Sequence, residues 1–267
     1  MKERGRNSRF FSDKRGQVTL FVIIAIVIVA LGILIYVFYP KISSVFGGGQ
    51  EQNPNEFIQN CMEDDLADKI QNVSVQGGSI NPEFYILYQD EKIQYLCYTE
   101  EYYKTCVVQK PLLTKQIEKE IENAIAPKVK TCFNELKTSF EERNYEVNII
   151  EGAVGIALMP KKVVSTFNYS VTLTKTDAKK YDSFNVVVNN NLYELVGIAN
   201  SIIDWESTYG DASIALYMDL YHNLKIEKRK PDYGTSVYIL TDKDTANKFQ
   251  FASRSLVFPP GYGTEVV

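Results

Sequence analysis

The amino-acid sequence predicts an α+β fold: an N-terminal transmembrane helix, then two amphipathic helices with a small hairpin region, and a mostly antiparallel sheet with helices. Three observations lead to this prediction. Residues 18–39 form a run of 22 residues without a charged side chain. Two later stretches repeat apolar residues every three or four positions, as amphipathic helices do. From residue 145 onward the apolar residues mostly recur at every second position, which is typical of strands.

The chain divides into five predicted regions. They are a basic cytoplasmic leader (1–16), a transmembrane helix (17–40), a flexible linker (41–55), a helical disulfide-bearing region (56–143) and an α+β extracytoplasmic domain (144–267). The linker is predicted from three consecutive glycines followed by polar residues and a proline.

Residues 18–39 have the length of a membrane span. At about 1.5 Å per residue they extend roughly 33 Å as a helix, enough to cross a hydrocarbon core of about 30 Å. Residues 1–16 carry a net charge of +4 and the remainder a net charge of −8. The positive-inside rule therefore places the N-terminus in the cytoplasm and the C-terminal domain outside the cell membrane. Membrane lipid is the expected partner of residues 18–39, whereas the acidic remainder argues against nucleic acid.

The segment KRGQ, residues 14–17, stands directly before the apolar run. It resembles the archaeal class III signal peptide, and the chain from Gln17 onward is similar to the N-terminal stem of type IV pilin-like proteins. This resemblance implies cleavage by a prepilin-type peptidase between Gly16 and Gln17. Such stems commonly carry a glutamate at the fifth position after the cleavage site, where this chain has Phe21. An uncleaved signal anchor is the alternative.

Two helices are predicted after the linker. Asn53 followed by Pro54 predicts a helix start, and the helix is expected to run to about Val73 and to stop at the QGG segment, residues 76–78. The second helix is expected to open at Thr114 and to kink or break at Pro127. Their apolar stripes are formed by Ile58, Met62, Leu66, Ile70 and Val73, and by Ile117, Ile121, Ile125, Val129, Cys132, Phe133, Leu136 and Phe140.

The strands are predicted from Tyr-, Ile- and Val-rich segments. Short strands are expected within 84–108, and a hairpin turned at Glu151-Gly152 is expected within 145–159. Further strands are predicted in 161–174 and 183–189, and closing strands in 224–230, 235–242 and 248–258, separated by the turns PDYG and DKDTAN. Helical spacing returns in 189–206, and residues 211–224 favour a helix over a strand.

Four cysteines, Cys61, Cys97, Cys106 and Cys132, lie in the predicted extracytoplasmic part. They contain no CxxC pair and the chain has one histidine, so disulfides are expected rather than a zinc site. Of three connectivities, Cys97–Cys106 is favoured because these residues flank the turn-like segment YTEEYYKT. Cys61 and Cys132 would then tie the two amphipathic helices together, contributing roughly 3–4 kcal/mol in the chain-entropy model.

Two segments, NVS at Asn72 and NYS at Asn168, match the N-glycosylation acceptor pattern and are predicted as glycosylation sites if the topology is correct. No catalytic residue, metal site or cofactor is predicted, because no nucleophile, phosphate-binding or metalloprotease motif is present. His222 is interpreted as a partly buried packing residue, and the DKD segment, residues 242–244, as a hairpin turn rather than a calcium loop. The acidic cluster of residues 63–68 is interpreted as a solvated helix face.

Sixteen of the 18 tyrosines follow the apolar run, with clusters in FYILY, CYTEEYY and LYMDLY. Tyrosine is enriched in recognition surfaces, but it is also a common strand residue, so both explanations stay open. The sequence thus favours a membrane-anchored cell-surface protein whose outer domain binds other surface proteins or itself. A pilin-like filament subunit, and a membrane-tethered enzyme or solute-binding module, are the alternatives.

A wider resemblance rests on KRGQVTLF at the start of the apolar run, Cys61 followed by QGG, a second helix bearing Cys132, and KFQFASRS near the end. In this order the features resemble those of a group of single-pass archaeal cell-surface proteins of unassigned role. The resemblance implies a surface location and nothing about mechanism.

Overall fold

The computed structural model describes residues 26–29 and 53–257. Residues 26–29 are helical and their side chains are exposed. The predicted leader, the rest of the predicted membrane helix and residues 41–52 of the predicted linker lie outside the described residues. In the part of the chain that the structure describes, no helix is both long and apolar enough to cross a membrane. Residues 53–257 form one unit.

The first two long helices follow the predicted stripes closely. Helix α1 (Pro54–Val75) begins after Asn53, whose side chain accepts a hydrogen bond from the Asn55 N–H at 3.0 Å. It ends at Gly77 and Gly78, which both adopt positive φ angles, a conformation that glycine adopts without steric cost. Helix α2 (Leu113–Glu141) packs against α1 and runs through Pro127, so the break that the sequence suggests there does not occur.

The described residues also contain two shorter helices, and the predicted helix in 211–224 is confirmed. Helix α3 (Leu192–Tyr209) ends at Gly210, which adopts the left-handed conformation, and helix α4 (Ile214–Leu220) follows directly. The Ser201 and Tyr217 hydroxyl groups, 3.0 Å apart, join α3 to α4.

Twelve strands are described in residues 53–257. They are β1 (Tyr85–Tyr88), β2 (Glu91–Tyr98), β3 (Val107–Val108), β4 (Glu146–Ile150), β5 (Val154–Met159), β6 (Lys162–Phe167), β7 (Ser170–Thr174), β8 (Ala178–Tyr181), β9 (Phe184–Asn189), β10 (Leu224–Asp232), β11 (Thr235–Asp242) and β12 (Lys248–Arg254).

These strands form one large sheet and two small ones, so the α+β class with mostly antiparallel pairing is confirmed. The large sheet has the order β1-β2-β12-β11-β10, with β3 also pairing with β2. Only the β12–β2 pair among the described strands is parallel. The small sheets have the orders β4-β7-β8 and β5-β6-β9. Strands β1 to β3 of the cysteine-bearing region therefore share a sheet with the closing strands.

The predicted hairpin at Glu151-Gly152 is wrong. Strand β4 pairs with β7 and strand β5 pairs with β6, so the chain crosses from one small sheet to the other between them. The backbone at Gly152 passes so close to Asn168 that a Cβ atom on Gly152 would lie 1.8 Å from the Asn168 carbonyl oxygen. The Asn168 N–H also donates to the Ala153 carbonyl at 2.9 Å, which fastens the two crossing points together.

The large sheet has different surroundings on its two faces. Helices α1 and α3 contact β12, and the main core lies on this side, with Tyr238, Phe249 and Phe251 among its buried residues. Because side chains alternate along a strand, Val237 and Ala252 point to the opposite face. There a second, smaller cluster forms around Ile93, Tyr95, Val237 and Ala252, with Ile86, Tyr88, Tyr98 and Ile239 packed against it.

Candidate functional site

All four cysteines are paired, so the prediction of disulfides is confirmed, and the pairing is the one that the sequence favours. Cys61 on α1 is bonded to Cys132 on α2, with their Cα atoms 5.9 Å apart and a sequence separation of 71. Cys97 at the end of β2 is bonded to Cys106, with Cα atoms 5.3 Å apart and a separation of 9. The first disulfide joins two helices, whereas the second closes a surface loop.

The loop between Cys97 and Cys106, called the disulfide loop here, is also fixed by hydrogen bonds to the end of β12 and to Leu256 just after it. The Thr99 N–H donates to the Arg254 carbonyl at 3.0 Å, and the Arg254 guanidinium donates to the Thr99 carbonyl at 3.0 Å. The Tyr103 N–H donates to the Leu256 carbonyl at 2.7 Å, and the Leu256 N–H donates to the Lys104 carbonyl at 3.1 Å. The loop is therefore held at both of its arms.

The disulfide loop carries three tyrosines that converge with one residue of the β10–β11 turn and one residue of β12. Tyr98, Tyr102, Tyr103, Tyr233 and Arg254 together are called the tyrosine patch. The Arg254 guanidinium lies 5.5 Å from the centre of the Tyr98 ring, and the Tyr102 and Tyr233 rings have centres 6.3 Å apart. Tyr102 and Tyr103 are 55% and 68% exposed. Exposed tyrosines beside an arginine are the residue types that dominate protein-binding hot spots.

The pKa values of two phenol groups of the patch, those of Tyr98 and Tyr233, are raised. Burial raises the pKa of Tyr98, and the hydrogen bond that its hydroxyl donates to Glu100 at 3.1 Å raises it further, while Arg254 acts in the opposite direction. The pKa of Tyr233 is also raised, first by burial and then by Tyr102. Both phenols therefore stay protonated at physiological pH.

A buried carboxylate lies behind the disulfide loop. Glu206 on α3 is 2% exposed. Its Oε1 atom accepts hydrogen bonds from the Tyr238 hydroxyl, from the Ala212 N–H at 3.0 Å and from Lys228 Nζ at 3.4 Å, and its Oε2 atom accepts one from Ser253 Oγ at 3.1 Å. Both oxygens are thus occupied, which compensates for burying the charge.

This carboxylate cluster reaches the disulfide itself. Ser253 Oγ lies 3.6 Å from Cys106 Sγ, so the hydroxyl bridges Glu206 and the disulfide sulfur. Burial raises the pKa of Tyr238 well above its usual range, and the neighbouring Glu206 charge adds to this effect. The cluster joins α3, β10, β11 and β12 and supports the base of the disulfide loop.

A polar cavity of about 450 Å³ opens beside the edge of β2. Its walls come from the segment between α1 and β1, from β2, from the residues that follow β3 and from the first turns of α2. Phe84 and Tyr95 contribute the aromatic part of its lining. Their rings also contact the Tyr98 ring, with centres 4.5 Å and 5.0 Å away, so the cavity adjoins the tyrosine patch.

The remaining predicted sites are dispersed. Gly16 and Gln17 lie outside the described residues. Asn72 on α1 and Asn168 between β6 and β7 both have exposed side chains. In the first acceptor segment Ser74 is buried and donates a hydrogen bond to the Ile70 carbonyl at 2.6 Å, whereas Asn168 lies in a connection between strands. Glycosylation stays a prediction at both positions.

Of the sequence interpretations of His222 and of residues 242–244, the structure contradicts the first and confirms the second. His222 is exposed, so its interpretation as a partly buried packing residue is wrong. The interpretation of residues 242–244 as a hairpin turn is confirmed, because this segment begins the connection between β11 and β12. Asp242 fixes that turn: its Oδ1 atom accepts hydrogen bonds from the Asp244 and Thr245 N–H groups at 3.0 Å and 2.9 Å.

One group of possible metal ligands is close together in residues 53–257. The sulfur atoms of Cys61 and Cys132 and a carboxylate oxygen of Glu135 lie within 4.8 Å of one another. Both sulfurs are consumed by the disulfide, so neither is a thiolate that could bind a metal in this state.

The tyrosine-rich segment CYTEEYY was visible in the sequence, but its assembly with Tyr233 and Arg254 was not. Those two residues lie more than a hundred positions away in the chain. Arg254 reaches the loop because β12 pairs with β2 in parallel, and Tyr233 lies in the turn that precedes β11, the next strand of the same sheet. The cavity could not be predicted from the sequence either, because its polar lining residues come from four separate segments of the chain.

Comparisons of the chain with protein-family models, with curated proteins and with solved structures find no match.

Proposed function

We propose that this chain is a single-pass cell-surface protein, anchored by residues 18–39, whose domain of residues 53–257 lies outside the membrane and binds proteins through the tyrosine patch. The expected partners are other surface proteins or a second copy of the chain. The observation that carries the proposal is the disulfide loop. It contains a disulfide, which is typical of proteins in oxidising compartments, and it also displays the tyrosines of the patch.

The tyrosine patch suits protein recognition because it is ordered before any partner arrives. Holding a loop in one conformation removes part of the entropy that binding would otherwise cost. Tyrosine side chains also have few rotatable bonds for their contact area. The disulfide, the hydrogen bonds to Leu256 and the Arg254 contacts all restrict the same loop.

Site-specific photo-cross-linking in intact cells tests the recognition role. A photoreactive phenylalanine analogue placed at Tyr102 is expected to give one discrete protein adduct. The same analogue at Tyr193, a 45% exposed tyrosine at the start of α3, serves as the matched control and is expected to give no such adduct. Equal adducts from both positions, or none from Tyr102, would contradict the proposal.

Protease protection tests the topology separately. In sealed vesicles with the outer membrane face exposed, added protease is expected to leave residues 1–16 attached to the apolar segment and to remove an epitope tag at the C-terminus. In inverted vesicles the protease is expected to remove residues 1–16 and to leave the C-terminal tag intact. Protection of the C-terminal tag in outward-facing vesicles would contradict the orientation.

A second candidate function is that of a pilin-like subunit, and the KRGQ segment supports it. Cleavage between Gly16 and Gln17 would leave an apolar stem available for packing against other copies. Phe21 in place of the usual acidic residue weakens this candidate. Electron microscopy of cell surfaces checks it, since filaments labelled by an antibody to the outer domain are expected only if the stem polymerises.

A third candidate, a solute-binding module, is supported by the polar cavity beside β2. The chemistry of that cavity is specific enough to name a ligand class.

A further inference from the structure

The cavity lies where two short strands meet on the same edge of β2. Strand β1 pairs with β2 as far as Gln94, and strand β3 pairs with it from Cys97 onward. Between these pairings the Tyr95 N–H donates to the Phe84 carbonyl at 3.1 Å, and the Gln109 N–H donates to the Leu96 carbonyl at 2.8 Å. These backbone groups of the edge are already bonded. An added peptide strand therefore has little to pair with here, and the cavity is left to side-chain recognition.

The volume of about 450 Å³ falls within the range of small-molecule sites, roughly 300–1,000 Å³. Eight of its ten lining residues are polar or charged. A lipid or another apolar ligand would leave these groups desolvated without partners, which is unfavourable. The cavity is therefore suited to a hydrophilic small molecule.

Gln94 is the most buried polar side chain of the cavity lining. Its side chain is 4% exposed and lines the cavity, yet its Oε1 atom is buried without a hydrogen-bond partner. The backbone of Gly77 packs closely against Gln94, since a Cβ atom on Gly77 would lie 2.9 Å from the Gln94 Cβ atom. Leaving a buried acceptor unpaired costs free energy, and few buried polar groups in native proteins lack a partner. A donor from a ligand would satisfy it.

The other amides extend this chemistry. Asn81, Gln109 and Gln116 join Gln94 in the cavity lining, so it contains four amide groups, a type that both donates and accepts hydrogen bonds. One N–H of the Gln109 amide is already donated to the Val107 carbonyl at 2.8 Å. Sugar hydroxyl groups have the same dual character, because each can donate one hydrogen bond and accept others. An amide-rich lining thus matches a polyhydroxylated ligand better than a purely donating or purely accepting one.

The charges of the lining argue against an anionic ligand. Glu83 and Glu120 place two carboxylates in the cavity against the single ammonium group of Lys110. The Glu120 carboxylate also accepts hydrogen bonds from the Ser79 hydroxyl at 3.3 Å and the Ile80 N–H at 3.1 Å, which fixes the segment between α1 and β1. A phosphate or sulfate group would meet net repulsion here.

The aromatic lining completes the match. The Phe84 and Tyr95 rings have centres 5.1 Å apart, and Phe84 is 42% exposed. An exposed ring offers a flat apolar surface, and the C–H groups on one face of a pyranose are the complementary part of a sugar.

We propose that this cavity binds a neutral mono- or disaccharide, with Gln94 Oε1 accepting a hydrogen bond from a sugar hydroxyl and the Phe84 ring packing against the C–H face of the sugar. The proposal stands apart from protein recognition by the tyrosine patch. None of the five residues of the patch lines the cavity.

Saturation-transfer NMR on the full chain in lipid nanodiscs tests the proposal. Nanodiscs avoid detergents with sugar headgroups, which would compete for the cavity. The probes are glucose, galactose, mannose and N-acetylglucosamine, with galacturonate as the charged counterpart of galactose. At least one neutral sugar is expected to bind with a Kd below about 10 mM, and galacturonate is expected to bind more weakly than galactose.

Gln94→Met is the decisive variant. It keeps the side-chain length and removes the unpaired acceptor, so binding is expected to weaken at least tenfold while the Tm rises by about 2–4 °C. Gln71→Met, at an exposed position on α1, is the matched control and is expected to change neither quantity. A merely structural glutamine would not combine lost binding with a higher Tm.

Phe84→Ala provides a second variant at an exposed position, where folding is expected to be preserved, and it is also expected to weaken sugar binding at least tenfold. The proposal is overturned if no neutral sugar binds below about 10 mM, if galacturonate binds more tightly than galactose, or if Gln94→Met and Phe84→Ala bind as the unsubstituted chain does.

Discussion

The two disulfides differ in what they hold in place. Cys61–Cys132 spans 71 residues and joins the buried stripes of α1 and α2, so it acts on the folding of the whole unit. Cys97–Cys106 spans 9 residues and closes a loop whose tyrosines are mostly exposed. In the chain-entropy model the long connection restricts the unfolded chain more than the short one does.

The comparison suggests a division of roles between the two cross-links. The long disulfide stabilises the scaffold, and the short one shapes the surface on which the tyrosine patch is displayed. If this division is correct, removing each disulfide in turn by replacing both of its cysteines will separate stability from partner binding. The predictions below run from the largest expected effect on stability to the smallest.

The largest effect is expected from replacing both Cys61 and Cys132 with alanine. Loss of this disulfide is expected to lower the free energy of unfolding by about 4 kcal/mol, measured by urea unfolding followed by circular dichroism. The Tyr102 photo-cross-link is expected to persist under native conditions, because the disulfide loop is untouched. A loss of less than about 1 kcal/mol would contradict the scaffold role.

A smaller loss of stability is expected from replacing both Cys97 and Cys106 with alanine. The shorter loop predicts a decrease of about 2.5 kcal/mol in the free energy of unfolding. The photo-cross-link from Tyr102 is expected to disappear, because the loop is no longer closed. If the adduct formed as well as in the unsubstituted chain, the disulfide would have no part in shaping the patch.

Asp242→Asn tests a turn that neither disulfide controls. The two Oδ2 contacts of Asp242, donated by Asn191 at 3.0 Å and Asn223 at 2.9 Å, cannot both be kept by an amide that also accepts from the turn. The variant is expected to lose about 1–2 kcal/mol of stability at pH 7, read from the urea midpoint. An unchanged midpoint would show that the turn does not depend on the carboxylate.

The same residue predicts a pH dependence. Burial acts to raise the pKa of Asp242, but the hydrogen bonds from Thr245, Asp244 and Asn191 outweigh it, and the pKa is lowered. The charged form is therefore favoured in the folded state. Its contribution to stability is present above the unfolded pKa of about 3.9 and is lost as the pH falls through the folded value.

Urea midpoints measured from pH 7 to pH 2 check this dependence. The difference in stability between the unsubstituted chain and Asp242→Asn is expected to shrink below about pH 4. A difference that stayed constant down to pH 2 would contradict the assigned role of the carboxylate.

The smallest effect on stability is expected from Tyr102→Ser. Tyr102 is 55% exposed, so the free energy of unfolding is expected to change by no more than about 0.5 kcal/mol. Partner binding is expected to weaken about 30-fold, which corresponds to a hot-spot residue. Tyr193→Ser is the matched control, with a similarly small effect on stability and no effect on binding.

The helices and the cysteine pairing could be predicted from sequence because their signals are local. The stripes from Ile58 to Val73 and from Ile117 to Phe140 fix α1 and α2, and Cys61 and Cys132 lie where those stripes meet. The failed hairpin at Glu151-Gly152 had a correct alternation pattern, but that pattern does not specify which strand pairs with which. In the structure the pairing of β4 with β7 and of β5 with β6 excludes the simple turn.

The functional surfaces were less predictable because they depend on distant pairing. The tyrosine patch needs the parallel contact between β2 and β12, and the cavity needs β1 and β3 to share one edge of β2. The unpaired Gln94 oxygen is likewise a property of the packed structure. Nothing in the local sequence distinguishes it from the other glutamines of the chain.

The most direct measurement is intact-mass spectrometry of the chain extracted from native membranes, before and after reduction. The account predicts that the unreduced protein is lighter than the reduced protein by four hydrogen atoms, two for each disulfide, and resists thiol alkylation until it is reduced. The same spectra show whether the chain begins at Gln17. An unchanged mass on reduction, with four cysteines that alkylate at once, would contradict an oxidised domain outside the membrane.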